Sequence, residues 1–452
     1  MALTPSFDGL MHARRRARVV EALGAEGSRF LALLPNARVF PRNSDVEHPY
    51  RTNSDFAWLT GLDECESVAA LTGDGPRFEL FVRPRNAERE QWDGLRSGLE
   101  GAKARFGAHR ARSIDDLDEG LVELLGNTDV VAWPMGRDAS FDTRVLAALA
   151  KVRLKQRLKI DAPTRFVDLS CILHAMRWKK DPGEVALMRR AAAITARGHE
   201  AAMAAAVSGR SEFHLEAALA HAFREGGSRR DAYEPIVASG PNASILHYRE
   251  NDRTLEAGDL VLIDAGCELD FYASDVTRTF PVSERFTEAQ AAIYDLVLAA
   301  QEAAFAVIRP GATLDDVHFA SLNVLGQGLL NLGILHGTLA AVLEQDLHKP
   351  FTVHRTSHWL GLDVHDAGIY YRRGEAVRLE EGCVLTVEPG LYFRPDDARV
   401  DEKYRGIGVR IEDDLLVTGT GYENLTAAIP KGRRAIETLR AASLHESRSL
   451  AR

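Results

Sequence analysis

At 452 residues and a net charge of -9, the chain is longer than one hydrophobic core usually fills, so two domains are expected. Its hydrophobic share of 45% and charged share of 27% are those of an ordinary globular protein, with no general attraction to nucleic acid or anionic lipid. No apolar run is long enough for a membrane-spanning helix. Four scattered cysteines, Cys65, Cys171, Cys267 and Cys383, show no CxxC spacing; they fit a reducing, cytoplasmic setting and argue against thiolate metal sites.

The start of the chain is basic through Arg14, Arg15, Arg16 and Arg18 but has no apolar signal core. It reads as a helix packed through Leu10, Val19, Val20 and Leu23. Strands are expected at Phe30–Leu34, Ser67–Leu71, Phe78–Val82 and Val130–Trp133, and helices at Leu117–Leu125 and Phe141–Val152. Such alternation implies an α/β layer with a parallel or mixed sheet. No glycine-rich phosphate loop follows any of these strands, which removes support for a nucleotide role. Asn43–Gly61 reads as a long polar loop ending in aromatics, and Trp92 is a large aromatic set among charges.

A first domain is expected over residues 1–178. Asp181, Pro182 and Glu184 then spell a capping box with proline at the first helical position. Ser211 caps a second helix that closes at Gly226 and Gly227. Strands follow from Tyr233, and helices return at Thr287–Ile308 and Leu314–Leu332. Separate blocks of strands and helices suggest an α+β domain over 179–440, with a frayed tail at 441–452.

The stretch Leu260 to Phe280, LVLIDAGCELDFYASDVTRTF, reads as a hairpin. Asp264 and Asp275 are equidistant from a centre between Leu269 and Asp270, so a symmetric register sets them opposite each other on one face. Two such carboxylates ionise together only with a positive charge between them, and a bound cation answers that need. Further on, HKPFTVHRTSHWLGLDVHD packs His348, His354, His358 and His365 together. Glu388 in LTVEPGLYF is held extended by Pro389. In GVRIEDD, period-two alternation puts Arg410 and Glu412 on one face. Asp264, Asp275, Glu388 and Glu412 together carry four negative charges, which two divalent ions would balance. Oxygen-dominated ligands with one imidazole favour Mn, with Co, Zn and Fe possible. Paired ions of this kind acidify a shared water and polarise a carbonyl. His247, His354 and His365 are then available to stabilise an oxyanion or protonate a leaving amine.

HYRENDRTLEAGDLVLIDAGCELDFYASDVTRTFPV, SHWLGLDVHD, LTVEPGLYF, YRGIGVRIEDD and the earlier HPYRTNSDFAWLTG together resemble the Xaa-Pro aminopeptidase (aminopeptidase P) family over nearly the whole chain. The resemblance implies a creatinase-like N-terminal α/β domain followed by an α+β "pita-bread" catalytic domain. It implies metal ligands Asp264, Asp275, His358, Glu388 and Glu412, substrate-binding and proton-handling histidines His247, His354 and His365, and a supporting Arg410. Tyr392 matches a site-organising tyrosine. Asp45 and Trp92 match N-terminal positions that reach the active site, in tetrameric members partly from a neighbouring subunit.

The implied reaction releases the N-terminal residue of peptides with proline second, by attack of a metal-bridging hydroxide. A homo-oligomer, tetramer or dimer, is implied as well. A prolidase restricted to Xaa-Pro dipeptides and a catalytically silent peptide-binding module of the same fold are the alternatives. A metal-free relative acting on a guanidino compound is disfavoured by the complete ligand set. One departure stands out: many members have glycine after the histidine that corresponds to His354, where this chain has Arg355.

Overall fold

The computed structural model describes residues 9–27, 29–73 and 77–450, which divide into two compact units, Met1–Met176 and Arg177–Arg452. The first is built on a six-stranded mixed sheet. Phe30–Pro35 lies at its middle, antiparallel to Val68–Thr72 and parallel to Val130–Trp133. Phe78–Val82 with Arg110–Ser113 extends one side, and Arg165–Asp168 closes the other. The four inner strands read as nearly continuous apolar runs because both faces are covered. Leu31, Leu33, Phe81, Val131 and Trp133 pack against Leu117–Leu125 and Ala139–Arg153.

Two expectations for this unit are corrected. The opening helix, Gly9–Gly24, buries Val19 and Leu23 but leaves Leu10 exposed, and it buries His12, Arg15 and Arg16 instead. Arg15 donates to the Trp58 carbonyl at 3.2 Å and Arg16 to that of Leu59 at 3.1 Å. Those carbonyls end the helix Ser54–Thr60, where carbonyls lack internal partners and cations are favoured. That helix is the second correction, because it occupies the latter half of the expected loop. Asn53 caps it by accepting from Phe56 N–H, and Gly61 ends it at φ 69°. Its aromatics, Phe56 and Trp58, are core residues.

The second unit begins with the helix Pro182–Ala205, whose Asp181–Glu184 capping box is formed, and continues with Glu212–Glu225. Later helices Glu288–Val307 and Leu314–Asn331 also start with capping boxes. They cover small antiparallel sheets: Leu260–Asp264 between Ile236–Ser239 and Thr277–Pro281, and Asp413–Val417 between Val384–Val387 and Tyr422–Asn424. A two-stranded ribbon, Gly390–Tyr392 with Gly408–Arg410, lies in the chain between Val384–Val387 and Asp413–Val417. Over residues 441–450 the expected fraying is not seen, since the final helix runs Arg433–Leu450; the last two positions of the expected tail lie outside the described residues. Ala441, Ala442 and Leu444 are strong helix formers that propagate a helix already anchored by buried Ile436.

The 260–280 hairpin forms in a register two residues from the symmetric one. Leu269 pairs with Tyr272 across a turn at Asp270 and Phe271, both at positive φ, which suits a two-residue hairpin turn. Asp264 therefore faces Thr277 rather than Asp275. A shift of two preserves side-chain parity, so both carboxylates keep a common face. Between them the strand passes so close to its partner that a Cβ on Gly266 would sit 1.7 Å from the Ser274 carbonyl oxygen. Gly266→Ala should therefore lower the unfolding free energy by ~3 kcal/mol or more, through forced backbone displacement. Denaturant titration checks this, and an unchanged midpoint would refute the close approach.

Candidate metal centre

Each acidic side chain of the site comes from a place where a strand ends or breaks. Asp264 closes Leu260–Asp264, and Asp275 lies just before Thr277–Pro281. Glu388 separates Val384–Val387 from Gly390–Tyr392, and Glu412 separates Gly408–Arg410 from Asp413–Val417. His358 is tied alongside Thr386: its N–H donates to Thr386 Oγ1 at 3.2 Å, and its carbonyl accepts from Thr386 N–H at 2.9 Å.

These groups converge. Single ligand atoms from Asp275, His358 and Glu412 lie within 4.8 Å of one another. His358 Nε2 is 3.4 Å from Asp275 Oδ2 and 3.4 Å from Glu388 Oε1. Its Nδ1 lies 3.0 Å from the Trp359 carbonyl, an acceptor only, so in the neutral ring Nδ1 carries the hydrogen. The Nε2 lone pair then faces the carboxylates, as in a metal-ligating histidine. Asp264 is joined to the group through Arg410, whose Nη2 donates to Oδ2 at 2.6 Å. Arg410 also donates to Tyr392 Oη at 2.9 Å and to Thr277 Oγ1 at 3.0 Å. The Thr277 hydroxyl in turn donates to Glu412 Oε2 at 2.8 Å. Arg410 and Glu412 thus share a side, as the alternation implied, with Ile411 wholly buried.

The electrostatics show a donor set short of positive charge. Burial raises Glu388 to about 7; His358 and Arg410 oppose the shift, and Asp275 and Asp264 add to it. Burial and the neighbouring carboxylates push Glu412 well above the usual range, and burial raises Asp264 against the pull of Arg410. His358 is raised as well, but toward its charged form: burial lowers it, and the Asp275 hydrogen bond and the Glu388 charge outweigh burial and set it at about 9. The imidazolium does there what a cation would do better. An oxygen-rich cluster with one aimed imidazole fits divalent metal ions.

The other expected residues fall at graded distances from this centre. His365 packs edge-on against His358, with ring centroids 4.4 Å apart. His354 Nε2 is 2.7 Å from Tyr392 Oη and its Nδ1 3.6 Å from Glu388 Oε2, while burial lowers its pKa to about 4. His247 is exposed on the segment before Leu260, near enough for its charge to depress both His354 and His365. His348 is buried away from this group, beside the Val342 carbonyl. Asp45 and Trp92 belong to the first unit, where both are exposed.

Sequence reasoning missed Tyr233, whose hydroxyl oxygen lies 2.5 Å from both Asp264 Oδ1 and Asp275 Oδ1. One hydroxyl has one hydrogen, so both contacts are favourable only if one carboxyl is itself protonated and donates. A lone tyrosine in DAYEP gives no motif signal. Also missed was the backing of the site: fully buried Arg278 binds the Glu412 carbonyl at 2.5 Å and Asp413 Oδ1 at 2.7 Å.

Residues 186–419 match metallopeptidase family M24, and residues 12–132 match the aminopeptidase P N-terminal domain. The chain is 43% identical over 433 residues to the Xaa-Pro aminopeptidase of Escherichia coli K12, covering 95% of this chain and 97% of that one. It is 41% identical over 400 residues to the Xaa-Pro aminopeptidase of Haemophilus influenzae, covering 88% and 90%. It superposes on an aminopeptidase of Pseudomonas aeruginosa with TM-score 0.96 and 46% identity, covering 98% and 100% of the two chains. A variant of E. coli aminopeptidase P in complex with substrate gives TM-score 0.93 and 43% identity, covering 97% and 99%. A zinc-substituted form of that E. coli enzyme is known in complex with product.

The raised His358 pKa has a stability consequence for metal-stripped protein. A base whose folded pKa of about 9 lies above its ordinary 6.5 stabilises fully below 6.5 and loses that contribution as pH rises through 9. Chelated protein should therefore lose on the order of 1 kcal/mol per pH unit between about pH 7 and 9. Divalent ions should remove most of this slope, because a ligating imidazole is neutral. Denaturant unfolding at pH 7, 8 and 9 tests it; a flat profile without metal would contradict the charge assignment.

Proposed function

Because the chain belongs to metallopeptidase family M24 and carries an aminopeptidase P N-terminal domain, we propose that it releases the N-terminal residue from peptides whose second residue is proline. The observation that carries this reading is the convergence of His358 Nε2 with Asp275 and Glu412, alongside Glu388 and the Arg410-held Asp264. Asp264, Asp275, His358, Glu388 and Glu412 are assigned as ligands of two divalent ions. When bound, the ions supply Lewis acidity to the scissile carbonyl and acidify an attacking water. Manganese is proposed as the native ion because carboxylate oxygens outnumber the single imidazole.

The remaining steps belong to side chains. The bond before proline has no N–H, and its leaving nitrogen must gain a proton. Glu388, whose Oε1 lies 3.4 Å from His358 Nε2 and whose Oε2 lies 3.6 Å from His354 Nδ1, is assigned to accept a proton from water and deliver it there. His354 and His365, held neutral by burial, and the exposed His247 are assigned to the substrate carbonyl and amine. Arg410 fixes Asp264 and Tyr392 in place. Asp45 and Trp92 are assigned to substrate contact on the family pattern. Residues 179–440 are assigned the chemistry and 1–178 self-association, into a dimer or tetramer. Trp92 at 81% and Leu95 at 83% exposure support such a contact, since large apolar side chains this open often mark an interface. Among the described residues no helix is long and apolar enough to cross a membrane, and four free cysteines support a reducing cytoplasm.

Metal-loaded protein should cleave an Xaa-Pro-Yaa-Zaa tetrapeptide and lose that activity on chelation. Glu388→Gln should lower kcat about 100-fold or more, the scale of general acid–base catalysis. Cleavage of Xaa-Pro dipeptide alone would identify a prolidase. Protein that holds no Mn, Co or Zn after dialysis and cleaves neither would be a peptide-binding module.

A further inference from the structure

Arg355 is exposed, and its backbone reaches the site. Its carbonyl lies 2.8 Å from His354 Nδ1. A carbonyl accepts only, so Nδ1 carries the hydrogen in the neutral ring, and Nε2 is left to accept from the Tyr392 hydroxyl at 2.7 Å. The position of this one carbonyl therefore selects the tautomer and the tilt of His354.

What holds that carbonyl lies on the helix Leu314–Asn331. The Arg355 guanidinium donates to Asp315 in the first turn, and the Tyr371 hydroxyl donates to the same Asp315 oxygen at 2.8 Å. Three residues along, His318 Nδ1 is 2.9 Å from Thr356 Oγ1. Residues at that spacing share a helix face, so one face grips Arg355 and Thr356 in succession. The Thr356 carbonyl accepts from Glu388 N–H at 2.8 Å, which fixes the segment on its far side. Toward the N-terminal side, Val353 is exposed.

We propose that Arg355 is a positioning residue, which uses its ion pair with Asp315 to fix its own carbonyl and so the tautomer and orientation of His354. The inference rests on the assignment of His354 to the catalytic site. A glycine at 355 would keep the carbonyl but lose the anchor, leaving the ring to sample orientations that do not meet Tyr392.

An exposed ion pair adds little to global stability, so the effect is expected in turnover rather than in folding. Arg355→Gly and Asp315→Asn should each lower kcat about fivefold with KM within about twofold, the signature of a lost transition-state interaction. Thermal stability and metal content should stay at wild-type levels. Arg355→Lys should retain most activity, and the reversed pair Asp315→Arg with Arg355→Asp should recover at least half of what either single change loses. In a His354→Ala background, Arg355→Gly should cost nothing further. Wild-type kcat in both single variants, or a reversed pair no better than either, would overturn the proposal. If His354→Ala itself leaves kcat unchanged, the assignment of His354 is what fails.

Discussion

Four carboxylates share a site from which water is largely excluded, and the charges on hand to meet them are one guanidinium and one imidazolium. Bringing such groups together costs several kcal/mol for each unpaired charge. The chain relieves the crowding by partial protonation: Glu388, Glu412 and Asp264 are all raised, and His358 is held charged at about 9. Repulsion among these carboxylates favours cation entry, because it is relieved when positive charge arrives. The surrounding fold serves to keep the ligands from moving apart.

The run Glu412-Asp413-Asp414 shows how that is done. The break before Asp413–Val417, together with the alternation inside it, sends the three carboxyls to different surroundings. Glu412 meets the site through Thr277. Asp413 turns away to Arg278 at 2.7 Å and Lys431 at 2.6 Å, which hold it below the usual carboxylate range despite complete burial. Asp414 accepts from Ser274 Oγ at 2.9 Å and from Asp275 N–H at 3.2 Å. Burial and the neighbouring Asp275 charge push it well above that range. Three successive acids thus become a carboxylate of the candidate metal centre, a structural anion and a hydrogen-bonded support for the backbone of Asp275.

Local features were legible in the sequence and distant partnerships were not. The Asp181–Glu184 capping box, the extended Glu388 before Pro389 and the shared side of Arg410 and Glu412 follow from neighbours along the chain. The hairpin register slipped by two because the turn uses Asp270 and Phe271 at positive φ, where glycine or asparagine would have marked it. The helix Ser54–Thr60 hid behind its polar flanks, although Asn53 and Gly61 were valid start and stop signals. Tyr233 and Arg278 carry no motif at all. Their roles depend on what lies 31 or 135 positions away, and only the fold supplies that information.

The placement of the site's acids at strand ends has its own logic. Within a ladder, successive side chains are committed to alternate faces and cannot turn toward a common point. Where the chain leaves one sheet for another, that commitment lapses. Pro389 enforces such a break after Glu388, and Gly266 permits one between Asp264 and Asp275 by letting the strands approach within a distance no Cβ would tolerate. Ile411, wholly buried, anchors the third break, beside Glu412. The breaks that limit regular hydrogen bonding in this unit are therefore what allows acids from separate sheets to meet at one centre. Arg278 and Arg410, each reaching across more than 130 positions of sequence, restore the cohesion that longer ladders would otherwise have given.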